Sequence, residues 1–288
     1  MRKTILSICM LCSFFLLTAC TPNETSSRES VEEQSVPAAA PTLKPADNEV
    51  FVSRNLGFGQ INPRIHLKLE GEESVEAFRE ADLTKHQLPG EMDVRHPDFD
   101  LVFNNGGEVR ELHLWLPNNE EDRGMVTEID KTGTGYQLTP KSTQVLRELI
   151  EDYRYDYEQA VDNGDIVQIL GKMYNFDKWE NFLTDIEQSR PASVQRVGYT
   201  IEGDPIFDNL DFDGQSIHYV SDNTMDKFGL PKKEFDTCEK VVTEPIPAEH
   251  NTPGIVYRLD GCTGTNGGLN ENFWFAIPDE AEKVEENG

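Results

Sequence analysis

The chain has 288 residues, with 26 basic and 53 acidic side chains and a formal net charge of −27 at pH 7. Such an acidic balance excludes nucleic acid as an expected partner, because binding to phosphates needs clustered Lys and Arg. It also disfavours a body that lies flat on anionic lipid, and it favours cationic partners. The simpler alternative is that the charge only maintains solubility outside the cell.

Residues 1–19 have the pattern of a bacterial secretory signal. Arg2 and Lys3 precede an apolar run that is shorter than the about 20 residues of a transmembrane helix. The run ends in LTAC, which resembles a lipobox. That resemblance implies a diacylglyceryl group on Cys20, cleavage before it, and a further acyl chain such as palmitate on the new amino group. The alternative is an ordinary cleaved signal with a chance cysteine.

Residues 20–48 are predicted to form a disordered tether that begins with the lipidated cysteine. They are rich in Ser, Thr, Glu, Pro and Ala, without apolar periodicity, so they cannot bury enough surface to fold. As a coil, the 28 residues after Cys20 would span about 30 Å root-mean-square. The expected location is therefore the extracytoplasmic face of the cell membrane, with the lipid bilayer as a partner through acylated Cys20.

Residues 49–157 are predicted to form a first α+β domain. Alternation in RIHLKL predicts a strand, and Ser74 is a candidate N-cap for a short helix. DLVFNNGGEVRELHLWL predicts a hairpin, with Asn105-Gly106 supplying the positive φ angles of the turn. Thr139-Pro140 predicts the start of a helix that continues through Tyr157.

His113 and Trp115 share one face of the second strand of this predicted hairpin. Two interpretations remain open for them. They form a ligand patch, or they pack in the core against a helix.

Residues 158–280 are predicted to form a second α+β domain, followed by an acidic tail at 281–288. DIVQIL predicts a strand, Asn175 starts a helix, and VQRVGYTI predicts another strand that includes Ile201. Asp213-Gly214 predicts a two-residue hairpin turn. This register sets Leu210 opposite Ile217 and places four apolar residues on one face, namely Leu210, Phe212, Ile217 and Tyr219. Two more strands are expected around the Gly-rich loop 261–268.

The fold class is therefore α+β: two small domains of antiparallel strands and hairpins, each packed with one or two helices.

Two cysteines remain besides Cys20 once the signal is removed, because Cys9 and Cys12 leave with it. Outside the cytoplasm such a pair is usually a disulfide, which makes Cys238 and Cys262 the disulfide candidates. The alternative is two free thiols.

An acidic segment supplies the weak candidates for a ligand site. Tyr199, Glu202 and Asp204 would gather at the end of a strand, where paired carboxylates perform acid–base chemistry or hold a cation. The alternative is that Gly203 and Pro205 form a turn that these acids cap. Lys172 is a fourth candidate, and it is otherwise expected in a surface ion-pair set with Asp226 and Lys227.

A calcium-like run, Asn209-x-Asp211-x-Asp213-Gly214, imitates the start of an EF-hand loop. The loop needs a bidentate Glu at its twelfth position, where this chain has Val220, so a hairpin is favoured and no metal site is predicted. The chain also lacks G-K-[ST], H-E-x-x-H and G-x-S-x-G motifs. No catalytic residue and no cofactor are therefore predicted.

Residues 160–278 are similar to a family of exported Bacillota proteins, domain-of-unknown-function family 4362. The resemblance rests on GKMYN, YTIEGDPI, DKFG and the two cysteines at 238 and 262. More loosely, the first domain resembles the YhfM-like lipoprotein domain, on PGEMDVRHPDFDLVF, HLWL and YQLTPKST. Neither resemblance implies an activity.

The sequence therefore predicts a membrane-anchored, extracytoplasmic lipoprotein with a non-enzymatic binding or sensing role towards a protein or peptide partner. One alternative is a cell-surface hydrolase or metal-dependent enzyme that uses Glu202 and Asp204. The other is an inhibitory or structural protein of the envelope.

Overall fold

Three β-sheets and four helices make up the regular structure of the described residues. The computed structural model describes residues 43–91, 93–117, 122–151, 153–247, 252–263 and 273–284. The signal, Cys20 and most of the expected tether therefore lie outside the described residues. Within the described ranges, no helix is long and apolar enough to cross a membrane.

The first module, defined here as the described part of residues 43–151, is a seven-stranded antiparallel sheet with two helices on one face. Its strands in chain order are β1 (Glu49–Arg54), β2 (Leu67–Glu70), β3 (His86–Gln87), β4 (Phe99–Asn105), β5 (Glu108–Trp115), β6 (Met125–Glu128) and β7 (Tyr136–Gln137). Their order in the sheet is β2-β1-β4-β5-β6-β7-β3. Helices α1 (Glu72–Thr84) and α2 (Pro140–Glu151) bury Val75, Phe78, Leu146 and Ile150 against Leu101, Leu112 and Leu114 of the sheet.

The second module, residues 153–284 as described, contains a second seven-stranded sheet and a small third sheet. It begins with α3 (Tyr157–Asp162), β8 (Ile166–Ile169), β9 (Lys172–Tyr174), α4 (Phe176–Glu187), β10 (Ala192–Tyr199), β11 (Pro205–Phe212), β12 (Ile217–Asp222) and β13 (Lys233–Cys238). It continues with β14 (Lys240–Pro245), β15 (Gly254–Asp260), β16 (Phe275–Pro278) and β17 (Glu282–Val284). The second sheet has the order β13-β12-β11-β10-β8-β9-β17, and the third has β14-β15-β16.

Only two strand pairs in the described residues are parallel, β8 with β10 and β9 with β17. Helix α4 packs with both sheets of the second module, and its buried Trp179 contacts Tyr257, Phe273 and Phe275. The predicted α+β class is confirmed.

The two modules meet through a buried polar and aromatic interface, within one compact unit that spans residues 39–288. Arg54 at the end of β1 forms an ion pair with Asp222 at the end of β12. The ring of His66 stacks on Tyr155, with centroids 4.2 Å apart, and the His66 carbonyl accepts a hydrogen bond from the Gln159 side chain at 3.0 Å. This interface fixes the first module on the sheet face opposite α4.

The β4–β5 turn lies one residue later than predicted. Asn105 pairs with Glu108, so the two central residues are Gly106 and Gly107, with φ angles of 67° and 97°. Glycine adopts positive φ without the steric penalty of a β-carbon. The turn therefore uses Gly106 and Gly107, and Asn105 remains the last residue of β4.

The β11–β12 hairpin differs from its predicted register by two residues. Leu210 lies opposite Tyr219 and Phe212 opposite Ile217, so the connection has four residues rather than two. The Asp213 carboxylate stabilises it by accepting hydrogen bonds from the Gln215 and Ser216 N–H groups, both at 2.8 Å. A shift of two leaves every side chain on its face. The predicted apolar face is therefore confirmed, and all four of its residues are buried together.

Two predicted helix boundaries are wrong and two are confirmed, and one of the confirmed boundaries is the start of α4 after Asn175. Helix α1 begins at Glu72 after Gly71, not after Ser74. Helix α2 ends at Glu151, because the chain turns to bury Tyr155 at the module interface before α3 starts at Tyr157. Thr139 is the predicted N-cap of α2, and its Oγ1 accepts the Ser142 N–H at 3.1 Å.

Candidate functional site

Three connections of the second sheet come together at one end of it, which we name the loop end. They are the β8–β9 turn at 170–171, the β10–β11 turn at 200–204 and the β12–β13 loop at 223–232. Strands β8 and β10 are parallel neighbours, so both end at the same side of the sheet. Strand β11 starts beside the end of β10, and β12 ends beside the start of β11, because Phe207 pairs with Asp222.

The loop end carries four large apolar side chains that stand in solvent. The exposed fractions are 96% for Leu170, 97% for Ile201, 76% for Phe228 and 88% for Leu230. Among the described residues, the other large apolar side chain exposed to this degree is Leu83 on α1, at 84%. A single exposed apolar side chain needs no explanation, whereas several together indicate an interaction surface.

Asp204 ties two of these connections together. Its buried carboxylate accepts a hydrogen bond from the Lys227 backbone N–H at 3.0 Å and lies 3.5 Å from an Arg154 guanidinium nitrogen. The turn before it is closed by the Gly203 N–H, which donates to the Thr200 carbonyl at 3.0 Å. Ile201 is thereby held at the tip of a defined turn.

The β12–β13 loop is organised by its own polar side chains. The Asn223 amide accepts from the Lys232 N–H at 2.5 Å and donates to the Leu230 carbonyl at 3.2 Å. Asp226 accepts from the N–H groups of Phe228 and Gly229 at 3.0 and 2.9 Å. These bonds satisfy backbone groups within the loop, whose apolar side chains Phe228 and Leu230 are exposed while Met225 packs against the core.

The four weak site candidates lie at or beside the loop end, but they do not assemble the predicted acidic site. Asp204 is buried and engaged as described, whereas Glu202 is exposed in the turn. Burial raises the pKa of Tyr199, whose hydroxyl is enclosed without a hydrogen-bond partner among the described residues. Lys172 lies 4.0 Å from Glu282 on the neighbouring β17.

The predicted ion-pair set of Lys172 with Asp226 and Lys227 is not what the structure shows. Asp226 accepts hydrogen bonds within its own loop, and Lys172 pairs with Glu282. Lys227 contributes its backbone N–H to Asp204.

The four exposed apolar residues were missed by the sequence reasoning. Alternation with Val197 and Tyr199 predicts Ile201 in a strand, but β10 ends at Tyr199. The available signal was an apolar residue inside a turn motif, as in Leu170-Gly171 and Phe228-Gly229-Leu230-Pro231. Such a residue has no strand or helix face on which to be buried.

The calcium-like run forms the β11–β12 hairpin that the sequence favoured. Asn209 and Asp211 belong to β11, and Asp213 lies in the turn. Hydrogen bonds from the backbone N–H groups of Ser216 and Gln215 lower the pKa of Asp213 to about 2. Its carboxylate therefore serves the turn.

His113 and Trp115 are buried, as the core interpretation predicts, but they do not pack against a helix. Both lie on the sheet face opposite the helices, because Leu112 and Leu114 occupy the helix side. One ring nitrogen of His113 lies 2.8 Å from an Asp100 oxygen, and Trp115 donates its indole N–H to the Arg95 carbonyl at 2.7 Å.

A disulfide joins Cys238 at the end of β13 to Cys262 after β15, and so connects the second sheet to the third. Among the described residues, one group of three potential metal ligands has its ligand atoms within 4.8 Å of one another. It consists of Asp236, Cys238 and Cys262. Both sulfur atoms of this group are already bonded to each other. Residues 264–272, which include most of the Gly-rich loop, lie outside the described residues.

Two family models match the chain. Residues 163–251 match the model described as Domain of unknown function (DUF4362), and residues 62–156 match the model described as YhfM protein. The matches confirm both resemblances, one in each module, and neither description states an activity. The chain has no match among the curated proteins or among the solved structures.

Proposed function

We propose that this chain, built from a YhfM-type module and a module of the unknown-function family, is a lipid-anchored extracytoplasmic binding protein without enzymatic activity. The observation that carries the binding role is the loop end, where four of the five most exposed large apolar side chains of the described residues stand together. Hydrogen bonds hold the two connections that carry Ile201, Phe228 and Leu230 in defined conformations. That arrangement is costly for a protein with no contact to make there.

The anchoring part of the proposal rests on residues 17–20, whose sequence is LTAC. A diacylglyceryl group and an amide-linked acyl chain on Cys20 would together hold the body at the membrane stably, since each buried CH₂ contributes about 0.8 kcal/mol. Incorporation of labelled palmitate into the protein in growing cells tests this part. We expect incorporation into the natural chain and none into the Cys20→Ala variant, and equal labelling of both would contradict lipidation at Cys20.

The enzyme alternative is supported less well by the geometry. A pair of catalytic carboxylates needs both groups to face one substrate. The carboxylate of Asp204 instead accepts the Lys227 N–H in a buried position, while Glu202 lies in the exposed part of the turn. Asp204 thus serves as a support for the loops.

The binding role is tested by photo-crosslinking in intact cells. A photoreactive amino acid replaces Ile201 at the loop end or, as a matched control, Leu83 on α1, which is comparably exposed. We expect an adduct of an envelope component from position 201, lost when Cys20→Ala releases the body from the membrane. No adduct, or the same adducts from both positions, would contradict a binding surface at the loop end.

A further inference from the structure

We propose that the loop end inserts its four apolar side chains into the outer leaflet of the phospholipid bilayer that holds the anchor. The inference rests on the proposed function and names the partner of its binding surface. The body would then have two attachments to the membrane, the acylated Cys20 and the loop end, and would hold a fixed orientation between them.

The shape of the loop end favours a lipid surface over a protein. Leu170, Ile201, Phe228 and Leu230 stand on the tips of three separate connections and are almost fully exposed. The apolar side chains therefore project separately from the surface, and a protein partner would need a matching pocket for each of them. A bilayer has no such requirement, because its acyl region accepts apolar side chains of any shape.

The spacing of the tips also fits insertion into one plane. Their connections join β8 to β9, β10 to β11 and β12 to β13, which are neighbours in the sheet order β13-β12-β11-β10-β8-β9. Neighbouring strands are about 4.8 Å apart, so the four spacings between the outermost two connections amount to about 19 Å across the sheet end.

The charge at the loop end differs from that of the chain as a whole. Residues 170–171, 200–204 and 223–232 together contain two basic and three acidic side chains, and Lys172 follows at the start of β9, whereas the whole chain has 26 basic and 53 acidic side chains. Asp204 is buried beside Arg154, and Asp226 accepts hydrogen bonds within its own loop. The exposed carboxylate next to a tip is Glu202.

With Lys172 included, this end is close to neutral on a strongly acidic molecule, so an anionic membrane repels it less than it would repel a surface with the average charge of the chain. The basic side chains Lys172, Lys227 and Lys232 flank the apolar tips. Their aliphatic stems can lie along the apolar region while the ammonium groups remain among the phosphates, although Lys172 and Lys232 also pair with Glu282 and Glu234. The net charge by itself disfavours contact with anionic lipid. It therefore favours the orientation in which this nearly neutral end faces the membrane.

The chain length is sufficient for both attachments. Twenty-two residues separate Cys20 from the first described residue, and a chain of that length has a maximum reach of about 70 Å. Strand β1, which follows, runs from Glu49 to Arg54, and Arg54 contacts Asp222 and Thr224 where the β12–β13 loop begins. A six-residue strand is about 17 Å long, so the anchor and the loop end can reach one bilayer.

The test measures the depth of labelled positions in the lipidated, full-length mature protein. Cys20 is acylated and Cys238 is bonded to Cys262, so a cysteine introduced at Ile201 or Leu83 is the reactive thiol for a fluorophore. The protein is reconstituted into phosphatidylglycerol–phosphatidylethanolamine vesicles that contain nitroxide-labelled lipid as a quencher. We expect about threefold stronger quenching at position 201 than at position 83, because only the former enters the leaflet.

A second variant separates insertion from simple proximity. Phe228→Ser with Leu230→Ser removes two tips but leaves the label at position 201, and these exposed changes should not alter thermal unfolding. We expect about half of the quenching at position 201 to be lost. Equal quenching at positions 201 and 83, or no effect of the two serines, would overturn the proposal.

The result is read together with crosslinking in cells. A protein adduct from position 201 without quenching would overturn the lipid assignment while leaving the binding function in place. Neither an adduct nor quenching would contradict both. A lipid adduct together with quenching supports both.

Discussion

Asp222 of the second module accepts two hydrogen bonds from Arg54 of the first, at 3.1 Å from Nε and 2.5 Å from Nη2. Both side chains are buried, and Lys233 lies 3.7 Å from the same carboxylate oxygen. Burial alone would raise the pKa of Asp222, but the charges of Arg54 and Lys233 hold it well below its usual range. Burial in turn lowers the pKa of Lys233 to about 8. The modules are therefore joined by an ionised cluster at neutral pH.

Replacing Asp222 by Asn should destabilise the protein strongly, because it leaves the buried Arg54 guanidinium without its counter-charge. We expect the free energy of unfolding at pH 7 to fall by about 3–5 kcal/mol. Denaturant unfolding, followed by fluorescence, measures the change.

The control for this substitution is Lys131→Ala, which removes a surface pair with Glu128 in the first module. That pair is screened by solvent, so we expect the stability to remain near that of the natural chain. Equal losses in the two variants would show that the Asp222 cluster has no special role at the interface.

His66 should make the stability of the protein depend on pH below neutrality. Burial lowers its pKa well below the ordinary value, and the charge of Arg54 adds to this, while Asp222 opposes it. The unfolded chain therefore takes up a proton at His66 near pH 6.5, where the folded protein does not. Stability is fully present above that pH and is lost as the pH falls, by up to about 1.4 kcal/mol per pH unit.

The His66→Gln variant isolates this contribution. We expect a shallower fall in the free energy of unfolding between pH 6.5 and pH 5 than in the natural chain. The exposed His86, changed to Gln, is the control and should retain the original slope. Asp222 affects stability in a different pH range. Because its pKa is lowered in the folded protein, its contribution to stability is lost only below about pH 4, where a carboxyl of the unfolded chain takes up a proton. An unchanged slope in His66→Gln would contradict the role of His66.

The sequence predicted the fold class better than its registers, for a physical reason. Side chains alternate with period two along a strand, so an error of two residues at the β11–β12 turn kept Leu210 and Tyr219 on the buried face. The turn itself depends on local capping by Asp213, which alternation does not report. The early end of α2 depends on burial of Tyr155 against the other module, and that contact is not local.

The interface and the loop end were less accessible to sequence reasoning. Arg54 and Asp222 are 168 residues apart, and each alone resembles a polar residue at the end of a strand. At the loop end, Ile201 matched a strand pattern by alternation although it lies in a turn. Recognising the four tips as one surface requires the strand order of the second sheet, which brings 170, 201 and 228 to one side.

Loss of the disulfide should lower stability by an amount set mainly by the loop that it closes. Cys238 and Cys262 are 24 positions apart, and the chain-entropy model gives about 3.5 kcal/mol for such a loop. We expect this decrease for the Cys238→Ala/Cys262→Ala variant in denaturant unfolding. The single variant Cys262→Ala is informative as a comparison, because it opens the same loop and should lose a similar amount. A double variant as stable as the natural chain would show that the bond contributes nothing.

Asp204 and Glu202 should behave differently when each is changed to Ala. Asp204→Ala removes the buried acceptor of the Lys227 N–H, so we expect a loss of about 1–3 kcal/mol and faster proteolysis within 223–232. Glu202 is exposed in its turn, and Glu202→Ala should leave both the stability and the cleavage pattern unchanged. Limited proteolysis with mass spectrometry locates the cuts. If Asp204→Ala leaves the loop as resistant to proteolysis as before, the carboxylate does not support the loop. That outcome would favour the enzyme alternative, in which the two acids act on a substrate.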